Sequence, residues 1–154
     1  MGILTISEKW EKWLNAPMSH QTEEYLSKKY PLTATAENTV INGSYLPNTS
    51  LVEAIKTLRL GEALIGEEGY IAYVTENLET GFEESAYTAI PFDEEVLTIK
   101  NTWDIFSNNA AALQADFDLI TKGRKSQPIP DTNQVKSPDN IFIEEGATVE
   151  FCIL

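Results

Sequence analysis

Residues 63–74 constrain this chain most. Ala63-Leu64-Ile65 and Tyr70-Ile71-Ala72-Tyr73-Val74 are two apolar, β-prone runs separated by Gly66-Glu67-Glu68-Gly69. Two such runs, rich in branched and aromatic residues and split by a short glycine-bounded turn, predict a strand–turn–strand pair. Further short strands are expected at Thr39-Val40-Ile41, stopped by Asn42-Gly43, and at Tyr87–Ile90 and Val96–Ile99.

Helices are expected between these strands. Thr5-Ile6-Ser7-Glu8 is a capping box, and Ile6, Trp10, Trp13 and Leu14 follow on one helical face. A second helix is expected over Glu23–Lys29, with acids at its start and lysines at its end, matching the macrodipole. Ser50-Leu51-Val52-Glu53 makes another capping box, with Leu51, Ile55 and Leu58 as the apolar stripe and Gly61 as the left-handed stop. The longest helix is expected from Trp103 to Lys122, with Phe106, Leu113, Phe117 and Ile120 on one side and Gly123 after it. Residues 75–86 are acidic and poor in apolar side chains, which predicts a loop. The mixture of short strands and capped helices predicts an α/β layered domain over residues 1–122.

Beyond Gly123 the texture changes. Residues 123–139 are rich in Gly, Ser, Pro, Asp and Asn, with Pro128, Pro130 and Pro138, and read as a linker. In residues 140–154, Ile143 and Val149 are six positions apart, as are Ala147 and Ile153. That stretch is either an edge strand or the first coil of a hexapeptide-repeat β-helix, an architecture that needs about three stacked repeats to bury a core.

The 154 residues carry 24 acidic and 11 basic side chains, a net charge of −13, and 15 acids against three bases fall between residues 31 and 121. A surface so anionic repels phosphate backbones, which argues against a nucleic-acid partner. It still permits a small nucleotide, which local backbone donors are able to hold. No apolar run approaches the ~20 residues of a membrane helix, and the start of the chain lacks the pattern of a secretory signal. The single cysteine, Cys152, excludes an internal disulfide and a cysteine-built metal site. These features predict a cytoplasmic protein without a membrane partner.

Most catalytic signatures are missing: no P-loop, no G-x-G-x-x-G, no G-x-S-x-G and no H-E-x-x-H. The only histidine, His20, has no nucleophile placed beside it and reads as a turn residue. The paired acids at Glu67/Glu68, Glu83/Glu84 and Asp93/Glu94/Glu95 read as solvated turns, and Asp116 and Asp118 point apart on a helix. Two strand ends carry more. Val40–Pro47 breaks into Asn42-Gly43-Ser44, where α/β sheets place ligands, or else is an ordinary turn with Gly43 at positive φ. Ile99-Lys100-Asn101-Thr102-Trp103-Asp104 delivers polar side chains at a helix start, with Asn101 a candidate metal ligand and Thr102 either a site residue or simply the N-cap. Arg124-Lys125 either touches a phosphate or complements a helix C-terminus.

Five segments, in order, resemble one family: residues 2–13, 40–47, 99–106, 114–120 and 138–147. They are similar to the sugar-phosphate nucleotidyltransferases related to the bifunctional N-acetylglucosamine-1-phosphate uridyltransferase/glucosamine-1-phosphate acetyltransferase. The resemblance implies a Rossmann-like nucleotidyltransferase sheet followed by a left-handed β-helix, and homo-oligomers formed through that β-helix. It implies attack of a sugar 1-phosphate on the α-phosphate of a nucleoside triphosphate, giving a nucleotide sugar of the UDP-N-acetylglucosamine type with magnesium. Such chemistry rests on positioning and charge neutralisation, which suits a chain without a protein nucleophile. The resemblance assigns Asn42, Gly43, Ser44, Thr102 and Asp104 to substrate and Asn101 to the metal. Gly43 matches the glycine of the family's Gly-Asp metal motif, but Ser44 stands where the aspartate would be. The family's opening strand and its Gly- and Arg-containing triphosphate loop have no counterpart, so an incomplete sheet and an N-terminally truncated enzyme are expected. The alternative is a non-catalytic acidic α/β module that binds or assembles with a β-helix acyltransferase.

Overall fold

The strand–turn–strand pair forms the centre of a four-stranded sheet in the computed structural model, which describes residues 1–154. Strands β1 (Asn38–Ile41), β2 (Glu62–Gly66), β3 (Gly69–Thr75) and β4 (Thr88–Pro91) lie in the order β1-β3-β2-β4. The β1–β3 and β2–β3 pairs are antiparallel and β2–β4 is parallel. The Rossmann-like sheet of the sequence reading is thus, in this chain, a mixed α/β sheet. Val96–Ile99, expected as a strand, makes only one isolated antiparallel bridge, Tyr45 with Thr98.

Period-two alternation assigns the faces. Ile41, Ala72, Leu64 and Ile90 stand in register across the sheet and pack toward the helices. Tyr73 lies opposite Val40 and Ala63 and so faces the other side. A bulge between Leu64 and Ile65 gives β3 an extra residue, Ile71, which turns Tyr70 onto the face of Tyr73. There Tyr70, Tyr73, Phe82 and Tyr87 stack, with ring centroids 4.5–5.4 Å apart. The acidic loop at 75–86 is therefore tied to the sheet through Phe82, and its only regular element is the turn Glu84–Ala86.

Helix α1 (Ile6–Leu14) starts on the expected capping box: Thr5 accepts from the Glu8 amide and Glu8 accepts from the Thr5 amide. Helix α2 (Thr49–Thr57) is capped not by Ser50 but by Asn48, whose side chain accepts from the Leu51 amide at 2.8 Å. Gly61 does adopt φ +79°, yet it lies beyond the extended Leu58 that ends α2, in the turn entering β2. The two helices cover the sheet through Trp10, Leu51, Val52 and Ile55, which pack with Leu64, Ile71 and Ala72. Trp10 is 2% exposed, and its indole N–H donates to the Tyr45 carbonyl at 3.1 Å.

Two expected helices differ. Glu23–Lys29 forms only the short turn Glu24–Leu26. Seven residues fall far below the length at which a helix supports itself, and the 81%-exposed Tyr25 shows no apolar stripe to bury. Trp103–Lys122 is broken into α3 (Asp104–Ser107) and α4 (Asn109–Thr121). Ser107-Asn108-Asn109 interrupts it, since these side chains bond locally: Asn108 donates to the Thr98 carbonyl and Asn109 accepts from the Gly2 amide. The buried positions of α4 are Ala112 and Asp116, whereas Phe106 and Leu113 of the predicted stripe are exposed.

The chain divides into two compact units, Met1–Leu113 and Gln114–Leu154. Within the second, Ser126–Lys136 bonds back to the final residues: the Gln127 amide to the Ile143 carbonyl, and Gln134 to Cys152 and Leu154. Residues 140–154 form no strand, only an isolated parallel bridge between Gln134 and Ile153. Of the six-residue steps, Ile143 is buried while Ile153 is 82% exposed.

Removal of the Trp10 side chain should expose this architecture's dependence on it. Trp10→Ala is expected to cost about 3–5 kcal/mol in urea denaturation, as for large-to-small core changes generally. Trp10→Phe, which keeps a ring but strips the Tyr45 carbonyl of its donor, is expected to cost about 1–3 kcal/mol.

Candidate functional site

The two polar strand ends meet. The Ile99 amide donates to the Ser44 carbonyl at 2.8 Å, and the Leu46 amide donates to the Leu97 carbonyl at 2.9 Å, around the Tyr45–Thr98 bridge. Gly43 and Lys100 are the immediate chain neighbours of that bonded pair. The structure thus brings the segment of Asn42, Gly43 and Ser44 beside the segment of Asn101, Thr102 and Asp104. Trp10 holds the first segment from below through the Tyr45 carbonyl.

Each side chain has a distinct lot. Asn42 shapes the turn: its Oδ1 accepts from the Ser44 amide at 3.0 Å, and its amide nitrogen donates to the Tyr70 carbonyl at 3.3 Å. With both ends occupied, Asn42 acts on the site as scaffold. Gly43 does not adopt the left-handed backbone expected of a tight turn, and a Cβ built on it would meet nothing within 4 Å. Neither conformation nor packing requires glycine there. Close approach of another molecule to the backbone is the remaining physical use of a missing side chain.

Asp104 folds the second segment. Its Oδ2 accepts from the Lys100 amide at 2.8 Å and the Asn101 amide at 2.7 Å, while its own amide donates to the Asn101 carbonyl at 3.1 Å. These bonds, the Asn101 amide first, hold its carboxyl below the usual carboxylate range. Thr102 is exposed and is not the N-cap of α3; Trp103 occupies that position without a capping side chain and is 64% exposed. Asn101 is exposed beside them.

Three residues that sequence reasoning passed over complete the neighbourhood. Lys100 forms an ion pair with Glu68 of the β2–β3 turn. Tyr45 stands by both, its hydroxyl pushed up by burial first and then by the Glu68 charge, with Lys100 opposing. A Cβ at Gly66 would lie 3.7 Å from that hydroxyl. The signal available in the sequence was the scarcity of bases: Lys100 is one of three between residues 31 and 121. Arg124, in the C-terminal unit, pairs with Glu144, lies over the Phe142 ring and donates to the Ile120 carbonyl, so its place is at a helix C-terminus.

Magnesium takes oxygen ligands, typically one or two carboxylates with phosphates and water. The chain has no group of three or more His, Cys, Asp or Glu side chains arranged for a metal. Asp104 spends one oxygen on two backbone amides, and the Ser44 hydroxyl is a poor substitute for a carboxylate. These side chains do not compose a metal cage.

A family model described as sugar nucleotidyl transferase matches residues 1–125. No curated protein and no solved structure matches the chain. No helix is long and apolar enough to cross a membrane.

Because the Asp104 carboxyl is held down by the Asn101 and Lys100 amides, the turn is fully supported above the ordinary carboxylate range. That support is lost as pH falls through the lowered pKa. In an NMR titration the Lys100 and Asn101 amide resonances should move with a midpoint below 3.8. A midpoint at or above it would show that the carboxylate does not close this turn.

Proposed function

The chain belongs to the sugar nucleotidyl transferase family, and from that premise we propose that it takes a nucleoside triphosphate and a sugar 1-phosphate to a nucleotide sugar of the UDP-N-acetylglucosamine type. A phosphate oxygen of the sugar 1-phosphate attacks the α-phosphorus in line. The bond to the bridging oxygen breaks, and pyrophosphate leaves with the electron pair. Little covalent work falls to the protein in such a transfer; it positions the groups and offsets their charge.

The observation that carries this reading is the side-by-side placement of the Gly43–Ser44 turn and the Lys100–Asp104 turn, with open space over Gly43. In this scheme the sugar phosphate lies against the bare backbone at Gly43. Ser44 and Thr102 offer hydroxyls, Asn101 offers an amide, and Asp104 holds the second turn in shape. Magnesium is proposed as the accompanying cation, carried on the phosphates in the absence of a side-chain cage. The Rossmann-like sheet and the β-helix coil of related enzymes, with assembly through that coil, belong to the same proposal for residues 1–122 and 140–154.

A second reading has an observation of its own. Ser44 in the place of an aspartate, with no carboxylate cluster for a metal, favours a binding or assembly module that holds a sugar nucleotide without turning it over. The readings separate in one experiment. With UTP, N-acetylglucosamine 1-phosphate and magnesium, the enzyme reading expects pyrophosphate release. The module reading expects thermal stabilisation by UDP-N-acetylglucosamine, about 2.7 kcal/mol at 100-fold its dissociation constant, without pyrophosphate. Neither response would remove both.

Gly43→Ala tests the placement. Since no atom crowds the position and its backbone is not left-handed, stability should change by no more than about 1 kcal/mol, with a small gain expected. Affinity for the sugar nucleotide should fall at least tenfold by calorimetry. Unchanged affinity would move the ligand away from Gly43.

A further inference from the structure

The site has one cation, and that cation is already engaged. Of the three bases between residues 31 and 121, Lys56 sits in the last turn of α2 and Arg59 just beyond it, which leaves Lys100. Its ammonium is bonded to Glu68 across the gap between the β2–β3 turn and the Lys100–Asp104 turn. Both side chains are about half exposed, at 52% and 49%. A pair so solvated contributes little to folding, so stability does not explain its placement against the Ser44–Ile99 bridge.

The surroundings point to an anion. Tyr45 stands beside the pair with a hydroxyl that burial, reinforced by the Glu68 charge, keeps protonated and able to donate. Lys100, Tyr45 and the open backbone at Gly43 together offer a point charge and donors. Glu68 and its neighbour Glu67 hold the ammonium in its charged form. An arriving ligand must displace the Glu68 carboxylate, which is tethered to the same protein and therefore present at high effective concentration. A single negative charge offers Lys100 no more than Glu68 does, whereas two charges on one phosphate roughly double the attraction at the same distance.

We propose that Glu68 is a built-in competitor for Lys100, so that the site admits phosphate dianions, as in a phosphomonoester or pyrophosphate, and turns away singly charged phosphodiesters. On arrival of such a ligand the Lys100 ammonium passes from the Glu68 carboxylate to the phosphate, and Glu68 swings into solvent. The selectivity rests on the nucleotidyl transferase reading for its biological ligand, a sugar 1-phosphate or the pyrophosphate end of a nucleotide. Its physical content is independent of turnover.

The test is calorimetric titration of the full chain with inorganic pyrophosphate and, separately, with dimethyl phosphate. Glu68→Gln should tighten pyrophosphate at least threefold and give measurable dimethyl phosphate binding where the unaltered protein shows none. Lys100→Met should weaken pyrophosphate at least tenfold, and the double variant should match Lys100→Met, since Glu68 acts only through Lys100. Lys100→Arg should retain most of the affinity. Melting temperatures should stay within a few degrees throughout, because the pair is exposed. Unchanged or weaker binding by Glu68→Gln, or no pyrophosphate binding by any form, overturns the proposal. Nucleotide-sugar formation alongside an inert Glu68→Gln variant overturns the competitor and leaves the family chemistry standing. Tightening by Glu68→Gln without any nucleotide-sugar formation or nucleotide binding does the reverse.

Discussion

The hydrogen bonds joining Ser44–Leu46 to Leu97–Ile99 close a stretch of roughly fifty residues, for which loop entropy alone would ask about 3–4 kcal/mol. Two neutral hydrogen bonds return only about 1 kcal/mol each, so the bridge does not hold itself. It persists because most of the intervening chain is already folded. The sheet fixes β1 against β3 and β2 against β4, and so sets where residue 42 leaves and residue 92 returns. Trp10 then fixes Tyr45 from the helical layer. The core thus acts on function through one carbonyl: the candidate site is a consequence of a hydrophobic layer that positions a turn.

Elements governed by adjacent residues were legible in the sequence. The capping box at Thr5–Glu8 and the Gly-bounded turn at 66–69 each need only four residues to specify, and both formed as expected. Failures came where a neighbour in sequence competed. Asn48, a stronger cap two residues upstream, displaced Ser50. Asn108 and Asn109 found partners at Thr98 and Gly2 that a linear reading does not see, and split the long helix. The bulge at Ile71 leaves no mark in a continuous apolar run, because Tyr70 and Ile71 are equally suited to either face.

The site was legible only in halves. Each polar strand end stood out locally, but the Glu68–Lys100 pair joins residues thirty-two positions apart and becomes visible only once the hairpin turn is placed beside Tyr45. Asn42 looked like a ligand residue because amides at strand ends often are; here both ends of its side chain serve the turn. Asp104 looked like a free carboxylate and proves to be a backbone clasp. Gly43 was noticed for the conformation glycine permits, whereas what distinguishes it is the space above it.

An anionic protein that handles phosphate looks self-defeating until distance is considered. At physiological ionic strength screening falls off over about 8 Å, so most of the fifteen acids between residues 31 and 121 act on solvent rather than on a ligand at Gly43. The acids with a stake there are Glu67, Glu68 and Asp104. Asp104 directs its charge into two backbone amides, and Glu68 spends its own on Lys100. What an incoming phosphate meets is a local balance close to neutral, tipped by whether it wins Lys100 from Glu68. The remaining negative surface still repels polyanions, whose charges extend well past the reach of one lysine. Small phosphate esters and long phosphate backbones are then distinguished by the same distribution of charge.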